Sequence, residues 1–231
     1  MSTEKIRDIS GVILAGGKNT RYPIIKSFLK IDDSTIIERT LGLFKNIFDE
    51  VFISTNTPEI YFKFQSPLLG DIINSKGPMS GIYTSLININ NNCLFAVACD
   101  MPFLKDSVIS FICKKHKEAS KNLLVDATIP IFNGRPQPLM GIYCKSIIPY
   151  IRDSILKEKT SMKRFLEEIN TYYIDEKELK EIDPEGKSFI NINTPEDYEK
   201  VIDLSKGIGN NKGVKNDFRG AVSGLPEQVG Q

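Results

Sequence analysis

The residues best placed to do chemistry are a glycine pair, a set of cations and one carboxylate. The glycines and cations share the run Gly11-Val-Ile-Leu-Ala-Gly-Gly-Lys-Asn-Thr-Arg-Tyr-Pro-Ile-Ile-Lys26. Its apolar residues, 12–15, read as a buried strand that ends in Gly16-Gly17, and Lys18, Arg21 and Lys26 follow. A backbone without Cβ atoms lets N–H groups approach an anion closely, and neighbouring cations balance its charge. A nucleotide polyphosphate is the guest that suits such a loop. A plain strand-to-helix turn is the other reading of a Gly-Gly pair.

Asp100 follows the apolar run Phe95-Ala-Val-Ala-Cys99 and precedes Met101-Pro102. An ionised carboxylate at the end of a buried strand is costly unless a cation or strong donors compensate it. Its two readings are a ligand for Mg²⁺ and a helix cap. Gly77-Pro-Met-Ser-Gly81 opens a helical pattern, so its free N–H groups suit a phosphate or a base edge, though many Gly-Pro turns only turn. Asn191 and Asn193 alternate with Ile190 and Ile192. In an extended strand the two carboxamides share one face, where they could orient phosphates or complete a metal shell, or lie on an ordinary half-exposed edge.

Other chemistries are excluded by what the chain lacks. It has one histidine, His116, set among Lys114, Lys115 and Lys117 on an expected helix and read as exposed. A Ser-His-Asp mechanism would have to use that residue. The four cysteines, Cys93, Cys99, Cys113 and Cys144, form no C-x-x-C pair. Three sit in apolar runs as small buried hydrophobes, and a Cys/His zinc site is not expected. A Walker loop fails because Gly17-Lys18 is followed by Asn19, and the G-x-G-x-x-G fingerprint lacks its third glycine. A formal charge of +1 over 231 residues gives no basic field for nucleic acid. No uncharged run is long enough for a membrane helix, and the N-terminus lacks an apolar signal core, so a cytoplasmic protein with no membrane partner is expected.

The elements that must position these residues alternate. Apolar runs at 12–15, 51–54, 71–73, 94–99 and 123–126 read as strands, and 35–47, 59–64, 79–87 and 107–118 read as helices. Such alternation predicts an α/β fold with a mostly parallel central sheet covered on both sides, whose ligands gather beyond the carboxyl ends of the strands. Further on, 129–138 reads as a long loop or hairpin, 139–143 as a strand, and 146–156 and 161–169 as helices. The stretch 189–193 reads as a short strand leading into a helix capped by Thr194-Pro195. One domain over 1–205 is expected, with 206–231 a disordered, glycine-rich tail.

Together these segments resemble the molybdenum cofactor guanylyltransferases, whose signature L-A-G-G-x-S-x-R-M-G-x-D-K stands here as residues 14–26. Gly77-Pro-Met-Ser-Gly-Ile82, Cys99-Asp-Met-Pro102, Gln137-Pro-Leu-Met-Gly-Ile-Tyr143 and Asn191-Ile-Asn-Thr-Pro-Glu-Asp197 are similar to its later landmarks, in the family's order. The resemblance implies a Rossmann-like three-layer α/β/α sandwich of the nucleotide-diphospho-sugar transferase type. It also implies transfer of GMP from GTP to molybdopterin with release of pyrophosphate, and hand-over to a protein that loads molybdoenzymes.

On that resemblance Leu14, Ala15, Gly16 and Gly17 hold the nucleotide by backbone groups, with Ser54, Asn74, Gly77, Pro78 and Gly81 completing its site. Arg21 and Lys26 face the triphosphate, Asp100 binds Mg²⁺, and Asn191 and Asn193 line the acceptor side. The chain departs from the signature at Tyr22-Pro23, where Met-Gly is usual, and at Ile25 in place of Asp. Ser54 and Asn74 stand at strand ends where guanylyl enzymes tend to carry Asn and Asp. A CTP-dependent cytidylyltransferase and a non-catalytic nucleotide-binding module of the same fold are the alternatives.

Overall fold

The computed structural model describes residues 5–16, 25–73 and 77–207. Gly17, Arg21, Asn74, the Tyr22-Pro23 step and the tail from 208 lie outside the described residues. In chain order the elements are β1 (Ile9–Leu14), β2 (Lys30–Ile31), β3 (Ser34–Thr35), α1 (Ile36–Ile47), β4 (Val51–Ser54), β5 (Leu68–Leu69), α2 (Met79–Asn88) and β6 (Cys93–Ala98). They continue with α3 (Asp106–Ala119), β7 (Ala127–Phe132), β8 (Arg135–Pro136), β9 (Met140–Cys144), α4 (Ile148–Leu156), α5 (Met162–Glu167), β10 (Thr171–Ile174), α6 (Glu176–Ile182) and α7 (Pro195–Ser205).

The main sheet runs β10-β7-β9-β6-β1-β4-β5, with β8 hairpinned onto β7. The pairs β1–β4, β1–β6, β4–β5 and β7–β10 are parallel, while β9 runs antiparallel to both of its neighbours. Alternation along β1 sends Ile9 and Ile13 to one face and Val12 and Leu14 to the other. The first face is covered by α1, α3 and α6, the second by α2, α4 and α5. The fold is therefore the expected three-layer sandwich with a mostly parallel sheet. Thr35 starts α1 with a reciprocal capping box to Glu38, which satisfies donors the first turn cannot pair internally. No helix of the described residues is long and apolar enough to cross a membrane.

Several elements differ from expectation. The third strand is Leu68–Leu69, not 71–73: Pro67 and Leu69 carbonyls accept from Ile53 and Thr55, and Ile72 is exposed. The expected helix at 59–64 is two 3₁₀ turns, Pro58–Ile60 and Phe62–Phe64. The strand placed at 123–126 begins only at Ala127. Leu123 and Leu124 are exposed, and Asp126 is tied down by Ser146 and Asn170. Of the two readings of 129–138, the hairpin holds: 129–132 extend β7, which turns at Asn133-Gly134 into β8. Pro130 is tolerated there because pairing with β9 ends at Thr128. The strand expected at 189–193 does not form: Phe189 closes a 3₁₀ turn, Lys187–Phe189, and 190–193 belong to no strand.

His116 is buried rather than exposed. It lies one turn beyond Ile112 and Cys113 on the apolar face of α3, so its helical register outweighs its three lysine neighbours. Cys93 and Cys144 are not separate buried hydrophobes either: they face each other across β6 and β9 and form a disulfide. Cys113 and Cys99 are free, and only Cys113 is fully buried.

Candidate active site

The parallel strands β1, β4 and β6 deliver their carboxyl ends to one rim of the sheet. There Leu14 accepts at its carbonyl from Cys99 N–H at 3.1 Å, and Ser54 does the same for Ala15 N–H at 2.8 Å. These bonds place Ala15 and Gly16 between the end of β4 and the segment carrying Asp100. Among the described residues, a Cβ on Gly16 would meet no atom within 4 Å, so none of them crowds the backbone there.

Helix α2 approaches the same rim. Gly77 has φ of +103°, a conformation that side chains rarely adopt, and it turns the chain into the helix. A Cβ on Gly81 would lie 2.7 Å from Ser54 Oγ and 3.2 Å from Leu14 Cδ2, so only glycine lets the first turn of α2 sit this close to β1 and β4. Pro78 occupies the cap position and makes no side-chain cap hydrogen bond to the first turn. The expected residues Leu14, Ser54, Gly77, Pro78 and Gly81 thus converge. Ser54 corrects the expectation in one respect: its hydroxyl is buried under Gly81 instead of lining the open rim.

Lys26, Asp100 and Asn193 come from three distant parts of the chain. Lys26 Nζ lies 3.4 Å from Asp100 Oδ2 and donates to Asn193 Oδ1 at 3.2 Å. A small separate core holds them there: Leu29, Ile31 and Ile36 beside Lys26 pack on Ile192 and Val201. Tyr198 on α7 donates its hydroxyl to the Lys30 carbonyl at 2.7 Å. Ile192 N–H donates to the Asp100 backbone carbonyl at 3.0 Å, so the segment carrying Asn191 and Asn193 runs beside Asp100. Ile192 enters the core as expected, whereas Ile190 is only half-buried.

Burial pushes the Asp100 carboxyl above the usual carboxylate range, and the Lys26 ammonium opposes that shift. Among the described residues, Asn191 Oδ1 is buried without a hydrogen-bond partner. The Asp100 carboxylate and the amide oxygens of Asn191 and Asn193 offer oxygen donors alone, the kind that suits a hard cation such as Mg²⁺. Cys99, next to Asp100, is no nucleophile: burial pushes its thiol up to about 12.

The sequence reading missed Asp71 and Asn56. With β5 ending at Leu69, Asp71 stands just past the strand end where Asn74 was expected to act. Its N–H donates to Asn56 Oδ1 at 2.8 Å, and its Oδ2 accepts from Asn56 Nδ2 at 2.7 Å. Ile72 N–H is held by Thr84 Oγ1 of α2 at 2.9 Å, so the carboxylate is fixed against both flanking elements. Burial pushes the Asp71 carboxyl above its ordinary value. The signal was Leu68-Leu69-Gly70-Asp71, an apolar run closed by glycine, as at Gly16.

The family of the MobA-like NTP transferase domain matches residues 11–173. The chain is 34% identical over 204 residues to a "Probable molybdenum cofactor guanylyltransferase" of Peptoclostridium acidaminophilum, covering 87% of this chain and 92% of the relative. A protein of the same name from Clostridium perfringens is 36% identical over 200 residues, covering 84% and 96%. Among solved structures, the molybdopterin-guanine dinucleotide biosynthesis protein A of Archaeoglobus fulgidus superposes with a TM-score of 0.77. That match covers 86% of this chain and 100% of the other, at 24% identity. A parallel rim that gathers a glycine-led loop, a glycine-opened helix and a lysine–aspartate pair is thus found in a chain that belongs to the family of MobA-like NTP transferases, among molybdenum cofactor guanylyltransferases.

Proposed function

We propose that this chain transfers GMP from GTP to the terminal phosphate of molybdopterin. A phosphate oxygen of the acceptor attacks the α-phosphorus, the bond to the bridging α–β oxygen breaks, and pyrophosphate leaves. The observation that carries this reading is the meeting of Lys26, Asp100 and Asn193 at the rim where β1 runs out into Ala15 and Gly16. In-line displacement at phosphorus needs positioning and charge neutralisation more than a protein nucleophile. The inert Cys99 and the remote His116 are compatible with that need.

In this reading Leu14, Ala15, Gly16 and Gly17 present backbone groups to the nucleotide, and the first turn of α2 supplies further N–H donors. Lys26 faces the phosphate oxygens, held in place by Asn193; Arg21 shares that role. Asp71 accepts from guanine N1–H and N2–H₂, a pairing that Asn can only partly imitate. Asp100, with Asn191, would hold Mg²⁺. That ion, when bound, neutralises charge on the triphosphate as the bond to pyrophosphate breaks. The acceptor approaches along Asn191 and Asn193.

Pyrophosphate release measured with molybdopterin and either GTP or CTP tests the proposal. Turnover should require molybdopterin and favour GTP. Faster turnover with CTP would make the chain a cytidylyltransferase, and GTP binding without turnover would make it a binding module.

A further inference from the structure

The opposite end of β6 carries a second cluster of ligating side chains. Cys93 opens the strand and is in register with Cys144, the last residue of β9. Lys145 N–H donates to the Asn92 carbonyl at 2.8 Å, which makes this the narrow, non-hydrogen-bonded kind of cross-strand pair. His116 of α3 lies over the two sulfurs. Its Nε2 is 3.7 Å from Cys144 Sγ, and the ligating atoms of Cys93, His116 and Cys144 all lie within 4.8 Å of one another.

The imidazole is oriented for ligation. Nδ1 is 2.9 Å from Thr128 Oγ1. With the proton on Nδ1 and donated to that hydroxyl, Nε2 is left with a lone pair aimed at the sulfurs. Burial holds His116 below its usual value, which favours the neutral ring a metal needs. A cleft of about 330 Å³, lined in part by Asp8, Asn92 and Ser120, reaches Cys93 and His116. Lys117 and Lys121 also line it, and Lys117 is paired with Asp8 at 2.8 Å.

We propose that, once the Cys93–Cys144 bond is reduced, Cys93, Cys144 and His116 bind one thiophilic d¹⁰ cation of the Zn²⁺ class, with its fourth position open to the cleft. A tetrahedral site with Zn–S near 2.3 Å and Zn–N near 2.0 Å has S···N edges of about 3.5 Å, close to the separation already present. The sulfurs must part to about 3.8 Å, which rotation about the two Cα–Cβ bonds supplies without moving either strand. Two thiolates cancel the charge of the cation, so the lysines at the cleft do not repel the finished site. Cys93 and Asp100 are separated by the whole of β6, about 20 Å, so this site is independent of the nucleotide rim.

The chemistry balances with a phosphine as reductant. Phosphorus gives two electrons to the disulfide and takes oxygen from water, whose two hydrogens become the thiol protons. Both protons leave as the two metal–sulfur bonds form. The disulfide and the metal complex are therefore mutually exclusive states of the same pair.

The test uses the full chain, reduced with a water-soluble phosphine, desalted without oxygen, and titrated with Co²⁺ and then Zn²⁺. A thiolate-to-Co²⁺ charge-transfer band should saturate at one equivalent and be displaced by one equivalent of Zn²⁺. The same protein reoxidised with an azodicarboxamide should give no band. Co²⁺ held by oxygen at Asp100 produces no such band, so the two ends are distinguishable. Cys144→Ser should at least halve the band and weaken Co²⁺ binding by more than tenfold, and Thr128→Val should weaken it about tenfold by freeing the imidazole. Far-UV circular dichroism checks that both variants fold. No band in the reduced, unmutated protein would overturn the proposal. So would a band that persists after reoxidation, since it would belong to Cys99 or Cys113, or a band of undiminished intensity and affinity in Cys144→Ser, since Cys144 would then be no ligand.

Discussion

Strand β6 begins with Cys93 on one side of the sheet and leads to Asp100, two residues past its end, on the other, and the two ends are built differently. At the carboxyl end, Lys26, Asp100 and Asn193 meet only because a small apolar core folds the segment around Leu29 against Ile192 and Val201. At the amino end, Cys93 and Cys144 meet by strand register alone, and helical spacing on α3 adds His116. The first cluster is all oxygen and ammonium, suited to phosphates and a hard cation. The second is sulfur and imidazole, suited to a soft one. Parallel strands explain why the phosphate chemistry sits where it does: β1, β4 and β6 end on one rim, and the loops that follow them start there. The difference teaches that strand direction selects the reactive rim, while register can assemble a ligand set anywhere.

The largest effect expected at the carboxyl rim comes from Asp100→Asn, which should slow pyrophosphate release by about 10²–10³. Stability should move the other way. Burial raises the carboxyl of Asp100 despite Lys26, so its ionised form costs stability at neutral pH. That cost vanishes below the ordinary value of 3.8, where folded and unfolded chains are both protonated. The variant should therefore melt higher than the parent at pH 7, with the advantage fading as the pH falls toward 3.8. Thermal melts across that range check it; a lower melting temperature at pH 7 would make Asp100 a structural cap and erase the contrast between the two ends.

Asp71→Asn should reduce the preference for GTP over CTP by about 10–100-fold, since a bidentate base contact is worth about 1–3 kcal/mol of discrimination. Competition between the two nucleotides measures it, and an unchanged ratio would remove Asp71 from the base site. Lys26→Ala should weaken GTP binding about tenfold by deleting a cation that faces phosphate oxygens, read by equilibrium binding. Unaltered affinity would mean that Lys26 serves only to hold Asp100 and Asn193. The smallest effect belongs to the other end of the strand. Cys144→Ser should leave the rate of pyrophosphate release within about twofold, because sites so far apart act independently. A tenfold loss there would show that the two ends are coupled through β6.

Much of the rim was legible without coordinates. Val51–Ser54 was read with its bounds intact, and Met79–Asn88 within one residue at one end, because apolar spacing and a Gly-Pro opening both pointed to them. The third strand was not, since Leu68–Leu69 is too short to show a period and Ile72-Ile73 offered a stronger apolar signal. Asp71 was missed for that reason. His116 was misjudged from its charged neighbours, when its position one turn after Ile112 placed it on the buried face. Ser54 was expected to face the nucleotide, and only the depth of α2 against β4 showed that Gly81 covers it.

What the sequence alone determined was the order of buried strands and amphipathic helices, the glycine-led turns and the carboxylate that follows β6. These are local properties, written in apolar period and in the backbone freedom of particular residues. What only the tertiary structure decided was which distant groups meet. Lys26 with Asn193, Asn56 with Asp71, and Cys93 with His116 and Cys144 each depend on long-range packing or strand register. Pairing of that kind leaves no trace in local composition, because the free energy that selects it comes from surfaces buried between segments far apart in the chain.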